Sequence, residues 1–578
     1  MATSTDWQTL TARKRETISS QIPASWRLSP SFIEATGASA TAPTRLIAGD
    51  AVRKSGVLSE REFALTEGAT ASALVERMSK GEISAVEVVT AYCKRACVAG
   101  QLTNCLTETL YDTAIERARF LDDYLAREKK PFGPLHGLPV SVKDSFFVKG
   151  VDTTIGYVSF LADGPAKRNA ALVEILLSLG AVIYVKTNVP QTMMTADSDN
   201  NIFGRTLNPH KTILTAGGSS GGEGALVAMR GSPLGIGTDI AGSIRIPSLC
   251  NGTYGFKPTA DRIPFMGQAN PGLNGSPGAV LPVAGPLANS FADLRLFFKA
   301  VIDAEPWTYD ATASSVPWLG GLRGDAEADL SRRPLTIGLM PEDPAAPLHP
   351  PVKRALADAA AALESAGHKL VPIPFVEEEG ATHAARVAYK YFGVDPLDTF
   401  GEYVRKSGEP YVPSVKTARN LMGGDKPGMT IEQLASVNVT RYMFVEAWHN
   451  TWLKKGLDVI LAPAAQHTAV RHDQYILVPY TVIWNLLNAS IPKEFARIYA
   501  ESAQYPAAIL PVGKASKHLD PEPMVIGDTK RGADYVPEEV DGAPTVIQLV
   551  APTFQDEKLL AVAAVVDEVL KKTRASHL

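Results

Sequence analysis

The stretch GGSSGGEGALVAMRGSPLGIGTDIAGSIRIP, from Gly217 to Pro247, constrains this chain more than any other. Glycines let a backbone approach a ligand closely and turn several N–H groups toward one point. A developing oxyanion requires such an arrangement for its stabilisation. Phosphate chemistry does not fit: no G-x-x-x-x-G-K-[ST] is present, and no G-x-G-x-x-G stands after a strand with an acid beyond it. "LGIGTD" reads as a strand that ends in a tight Ala241-Gly242-Ser243 turn. There the Ser243 hydroxyl is exposed, and the amides of Ile240, Ala241, Gly242 and Ser243 can face a substrate oxygen.

Two serines compete for the role of nucleophile. Gly217-Gly218-Ser219-Ser220-Gly221 fits G-x-S-x-G, the elbow of α/β-hydrolases, with Ser219 at its centre. An esterase built that way takes its base from a late histidine, His467 or His472, with His472 the candidate; no HGGG-type loop stands upstream. Ser220 precedes "GGEGALVAM", where a serine serves as a helix cap or support. The rival base is Lys143 in "GLPVSVKDSF". Strand alternation puts Ser141, Lys143 and Ser145 on one face, with Val142 and Asp144 on the other. Lys143 must then pair with a distant acid or sit neutral, and a buried neutral amine is a base near neutral pH. Asp239 and Arg245 bracket Ser243 and read as a buried ion pair that fixes the loop.

The remaining text is that of a globular α/β protein. With 578 residues, 45% of them apolar, and a net charge of −4, it has material for a large core. The charge gives no support for nucleic acid or an anionic membrane as partner. Cys93, Cys97, Cys105 and Cys250 show neither C-x-x-C nor zinc spacing and read as buried thiols. The longest apolar text, Ala170 to Val185, is interrupted by Glu174 and Gly180, so no transmembrane anchor is expected. The N-terminal text has no secretory h-region. A cytoplasmic location is expected, with a peroxisomal one as the alternative, because Ser576-His577-Leu578 resembles a variant of the S-K-L address. Residues 1–70 read as an N-terminal helical extension and 71–578 as one catalytic domain. Helix–strand alternation up to about Gly255 predicts a largely parallel sheet under helices. Residues 306–333, rich in Pro, Gly and Ser, read as a surface connection.

These motifs together resemble the amidase signature: GGSSGG at Gly217–Gly222, G-x-G-T-D-x-x-G-S-I-R at Gly235–Arg245, then Pro247, flanked by "GLPVSVKD" and "YGFKPT". Ser219 and Ser243 stand twenty-four residues apart, as that pattern requires. "CKRACVAGQLTNC", "GPLHGLP", "YVKTNVPQTMM", "NNIFGRTLNP" and "AVRHDQY" are similar to blocks of fungal acetamidase-type members. The resemblance runs from about Thr70 to the C-terminal helix. It implies an α/β fold with a central twisted mixed β-sheet covered on both faces by helices. It also implies a Ser–cisSer–Lys triad, in which Ser243 is the nucleophile, Ser219 the bridging serine and Lys143 the base. Ser243 then forms an acyl-enzyme from a small-molecule amide, with no cofactor or metal. Met193 and Met194 match the family's substrate-side segment, with Gly217 and Gly218 as further substrate contacts; the two methionines read equally well as core residues. A homodimer stays open.

The chain departs from the pattern at three places. Ala241 stands where the family usually has Gly, and Ala216 replaces a more typical residue. Ala489–Gln504, "ASIPKEFARIYAESAQ", intervenes where "WNLLN" should run into "YPAAILPV". It reads as a pocket-lining helical insertion, a surface loop or a translated intron. With Ala241 it leaves a catalytically silent relative as the alternative to an active hydrolase.

Overall fold

Lys143 ends the strand Pro139–Lys143, every residue of which is buried. That strand lies within one eleven-stranded sheet, which positions the site. The computed structural model describes residues 6–275, 280–321, 330, 332–421, 428–487, 505–528 and 531–576. Ala489–Gln504 and the last two residues of the Ser576-His577-Leu578 tripeptide lie outside them.

The strands are β1 (Leu106–Thr109), β2 (Pro139–Lys143), β3 (Val182–Thr187), β4 (Leu234–Asp239), β5 (Tyr254–Lys257), β6 (Val283–Ala288), β7 (Thr336–Leu339), β8 (Lys369–Pro372), β9 (Val459–Ala462), β10 (Ala507–Lys514) and β11 (Pro544–Val550). Their order is β1-β3-β2-β4-β6-β5-β10-β11-β9-β7-β8. Six of the ten pairings are antiparallel, so the sheet is mixed, not largely parallel as helix–strand alternation predicts. The parallel pairs are β2 with β3 and β4, and β7 with β8 and β9. Helical crossovers make those two groups. The central strands are joined differently: β6 follows β5 through a segment whose described residues form no helix, and inserts between β4 and β5.

Helices cover both faces. Val140 and Val142 of β2 and Ile236 of β4 pack with helices Ala171–Ser178, Phe291–Asp303, Pro350–Ser365 and Asp556–Ser576 in one core. On the other face Val182 and Tyr184 of β3 pack with helices Ala85–Thr103, Tyr111–Glu128 and Gly221–Ala228. That face continues as Ile460, Ala507 and Val550 under helices Ala381–Phe392, Ile431–Lys455 and Pro479–Leu486. The N-terminal text forms helices Trp7–Ser20, Pro30–Thr36, Ala51–Lys54 and Glu60–Glu67 and contributes Trp26, Leu46 and Phe63 to the second core. Between 306 and 321 the chain makes two 3-10 turns, and the Trp318 ring lies 6.0 Å from that of Phe298. Among the described residues no helix is long and apolar enough to cross a membrane.

Candidate active site

The alternation of β2 divides its side chains as the sequence requires. Val140 and Val142 enter one core; Ser141 and Lys143 face the helix Gly221–Ala228 that follows the paired serines. Lys143 is fully buried, and its Nζ lies 2.7 Å from Ser219 Oγ and 2.7 Å from Thr238 Oγ1. Among the described residues no carboxylate lies within ion-pair distance of it. Burial pushes its amine down to about 7, and the charge of Asp239 restores only part of the loss.

The Gly218–Ser219 peptide is cis. Gly218 passes so close to the Thr195 carbonyl that a Cβ would lie 2.5 Å from that oxygen, which is why no larger residue fits. The first amides of the following helix are taken: Gly221 N–H donates to Ser198 Oγ and Gly222 N–H to the Asn188 carbonyl. Ser220 stands at the cap position, but its side chain does not cap. Its Oγ lies 3.3 Å from both the amide nitrogen and the carbonyl oxygen of Thr238, so it ties the helix start to β4. The cap reading fails because the Ser220 hydroxyl is turned to β4, while Gly221 and Gly222 N–H have partners elsewhere.

Ser243 sits past the end of β4, 9% exposed, and its carbonyl accepts from Ser220 N–H at 3.3 Å. Among the described residues its hydroxyl has no hydrogen-bond partner; catalytic hydrogen bonds are often long in an empty site. The loop before it is held from within by Asp239. One oxygen of that carboxylate accepts from Gly242 N–H (2.8 Å) and Arg245 Nη2 (2.9 Å), the other from Ile244 N–H (3.1 Å) and Arg245 Nε (3.0 Å). Burial alone would raise this carboxyl, yet the Arg245 guanidinium, with Lys257 and Asn485, holds it down at about 2. Both side chains of the pair are fully buried. Gly242 must therefore be removed from the expected oxyanion donors, because its N–H is spent on Asp239. The amides of Ile240, Ala241 and Ser243 make no hydrogen bond among the described residues and remain available.

A cavity of about 60 Å³ opens over this loop. Its floor is Gly218, Ile240, Ala241, Ser243 and Ile246; its walls include Met193, Met194, Tyr389, Phe392, Tyr475 and Val478. Met193 and Met194 thus line the cavity. Gly217 does not: it packs under Pro247, and its carbonyl accepts from Ser198 Oγ at 2.9 Å. The esterase pair is not brought together. Ser219 Oγ is engaged by Lys143, whereas His472 Nε2 lies 2.9 Å from the Thr212 carbonyl and His467 Nδ1 2.9 Å from that of Thr468.

Sequence reasoning missed the supports of the Asp239–Arg245 pair. Arg245 Nη1 donates to the Thr481 carbonyl (2.8 Å) and Gln548 Oε1 (2.9 Å), and Arg245 Nη2 to Asn485 Oδ1 (2.5 Å). Asn485 in "VIWNLL" and Gln548 in "VIQLV" are polar residues inside apolar text. A buried polar side chain needs a partner, and that was the available signal.

The amidase family model matches residues 87–560. An amidase of Gibberella moniliformis is 39% identical over 571 residues, 98% of this chain and 99% of its own length. An acetamidase of Emericella nidulans is 36% identical over 576 residues, 98% of each chain. Among solved structures, fatty acid amide hydrolase superposes with a TM-score of 0.85 at 29% identity, covering 98% of this chain and 95% of that one. A bacterial aryl acylamidase of the amidase signature enzymes, at 22% identity, covering 87% of this chain and 96% of that one, with a TM-score of 0.66, shares the fold. This chain belongs to the amidase signature family of hydrolases.

Proposed function

We propose that this chain hydrolyses a small, linear, uncharged carboxamide to an acid and ammonia or an amine through an acyl-enzyme on Ser243. The observation that carries this reading is the 2.7 Å contact between Ser219 Oγ and a buried Lys143 that has no carboxylate partner among the described residues. A neutral Lys143 takes the Ser219 proton, and Ser219 takes the Ser243 proton as Ser243 Oγ attacks the amide carbon. The amides of Ile240, Ala241 and Ser243 receive the negative oxygen. The proton returns through the same pair to the leaving nitrogen as the C–N bond breaks. Water then attacks the ester, and the chain reverses to release the acid. Residues 71–578 form the catalytic unit in this reading, with 1–70 as an extension packed against it.

The walls of the cavity hold no Lys, Arg or His among the described residues. Its one charged residue, Asp473, is paired by Arg205 at 2.9 Å. A substrate carboxylate entering there loses its water and finds no cation. The reading is tested by treating the protein with a fluorophosphonate and mapping the modified peptide. An adduct on Ser243, with Ser243→Ala abolishing both labelling and ammonia release, is expected; an adduct on Ser219 overturns the assignment of roles.

A further inference from the structure

Resting on that reading of Ser243, we propose that Thr481 is a positioning residue for the oxyanion cradle. By holding the Ala241 carbonyl, its hydroxyl keeps the oxygen of the Ala241–Gly242 peptide turned away from the substrate oxygen, which leaves the neighbouring amides of Ala241 and Ser243 to face it. Thr481 lies on the helix Pro479–Leu486, more than two hundred residues from the loop it touches, and is 1% exposed. Its Oγ1 donates to the Ala241 carbonyl at 2.6 Å; the Val478 carbonyl, at 3.1 Å, is the longer alternative for the same hydrogen.

The two ends of one peptide unit are thus pinned in opposite directions. The carbonyl of Ala241 is held by Thr481, and the N–H of Gly242 by Asp239 Oδ1 at 2.8 Å. The Asp239 end is braced several times over, by Arg245 and by Asn485 Nδ2 at 3.0 Å. The Ala241 end has, among the described residues, only Thr481. Gly242 sits at φ +138°, where it has no side chain to oppose rotation of the peptide before it. With the Thr481 hydroxyl gone, one of the two hydrogen bonds that oppose rotation of this peptide is lost, and the carbonyl is held away from the substrate oxygen by the Gly242–Asp239 bond alone. Thr481 also closes the space behind the loop, since a Cβ at position 242 would lie 2.5 Å from its Oγ1. Asn485, one helical turn on, braces the Asp239–Arg245 end, so a single helix face holds both ends of the loop.

The test compares wild type, Thr481→Val and Thr481→Ser by ammonia release from butyramide. Loss of the hydroxyl in Thr481→Val is expected to lower kcat by about 10- to 100-fold while KM changes less than about threefold. Thr481→Ser is expected to recover most of the rate. Inhibition by an alkylboronic acid, which makes a tetrahedral adduct, should weaken in step with kcat/KM. Binding of butyramide to the Ser243→Ala protein should be the same with and without Thr481→Val. If Thr481→Val does not fold, Thr481→Ala removes the same hydroxyl and is read by the same quantities. An unchanged kcat, or a rise in KM alone, overturns the positioning role and leaves the proposed function standing. A wild type that releases no ammonia, or a Ser243→Ala protein that still does, overturns the proposed function and this inference with it.

Discussion

Two lysines lie one strand apart in the same sheet, both fully buried, and their surroundings make them different chemical groups. Lys143 ends β2; Lys186 lies in β3, paired in register with Val142. Alternation therefore puts their side chains on opposite faces. Lys186 donates to the Asp152 carbonyl (2.8 Å) and Thr153 Oγ1 (2.6 Å), and lies 3.4 Å from the Asp144 carboxylate. Burial lowers its amine, and Asp144 and Glu108 oppose that shift. Lys143 meets only hydroxyls, and burial takes it to about 7. A buried lysine beside carboxylates is held as a cation, whereas one beside hydroxyls alone can be neutral, as the proposed base has to be. Which of the two a lysine becomes is decided by the face of the sheet it occupies.

The strongest way to break this comparison is to replace each lysine by methionine. Lys143→Met is expected to lower kcat/KM by roughly 10²–10⁴-fold. It should melt no lower than wild type at neutral pH, because it removes a buried amine that has no counter-ion. Lys186→Met is expected to do the reverse. It strips Asp144 of its cation, and breaking a buried pair costs about 3–5 kcal/mol, read as a lower urea midpoint, with activity of the folded protein kept within a few-fold. Asp144 still accepts from Thr107 Oγ1 and from the amides of Thr154 and Ile155, so its loop survives. A Lys186→Met protein that is stable and inactive would place Lys186 in the chemistry and end the distinction.

The pH dependence sharpens the same contrast. In the proposed mechanism only the neutral amine of Lys143 accepts the Ser219 proton, so kcat/KM should climb about tenfold per pH unit below its titration near 7 and flatten above it. Stability carries the matching sign. Between about 7 and the ordinary lysine value of 10.5 the unfolded chain holds one proton more at this group than the folded chain. Its contribution to stability therefore rises with pH through that window, and its cost is complete and constant below. The stability advantage of Lys143→Met should shrink accordingly between pH 7 and 10, measured by urea unfolding at fixed ionic strength. A flat rate profile from pH 6 to 9 would show that a different group is the base.

The floor of the site was legible in the sequence because its constraints are local. Gly218 and Gly242 are required by close approach and a positive φ, and the two faces of β2 follow from a period of two. The walls were not. Tyr389 and Phe392 on the helix Ala381–Phe392, and Tyr475 and Val478 after β9, reach the cavity through the order of strands, and no local pattern encodes that order. Thr481 and Gln548 meet the loop from 236 and 303 residues past Arg245. Strand direction failed for a related reason. Alternating helices and strands encode parallel neighbours, but β6 follows β5, and β11 follows β10, through segments whose described residues form no helix longer than four residues, and both pairs are antiparallel.

The smallest effect is expected at Glu223, the fully buried acid behind Lys143. Ser232 Oγ donates to the Leu234 carbonyl at 2.9 Å, so it accepts from Ser141 Oγ, also at 2.9 Å. Ser141 has then spent its one hydrogen, and the 2.6 Å contact between Ser141 Oγ and Glu223 Oε2 needs a proton on the acid. Thr187 Oγ1 donates to the other carboxyl oxygen at 2.9 Å. Burial raises Glu223 to about 8, in agreement with this count of donors. At neutral pH it is a neutral acid and gives Lys143 no counter-ion. Glu223→Gln supplies an N–H where the acid proton stands and keeps a carbonyl for Thr187, so activity near pH 7 should stay within about twofold of wild type. The variants should part only above about pH 8, where wild-type Glu223 becomes an anion and draws Lys143 back toward its charged form, so the Gln protein should reach its plateau at lower pH. A Gln protein several-fold more active than wild type at pH 7 would instead mean that Glu223 is already an anion there, that Lys143 has a counter-ion after all, and that its difference from Lys186 lies somewhere other than charge.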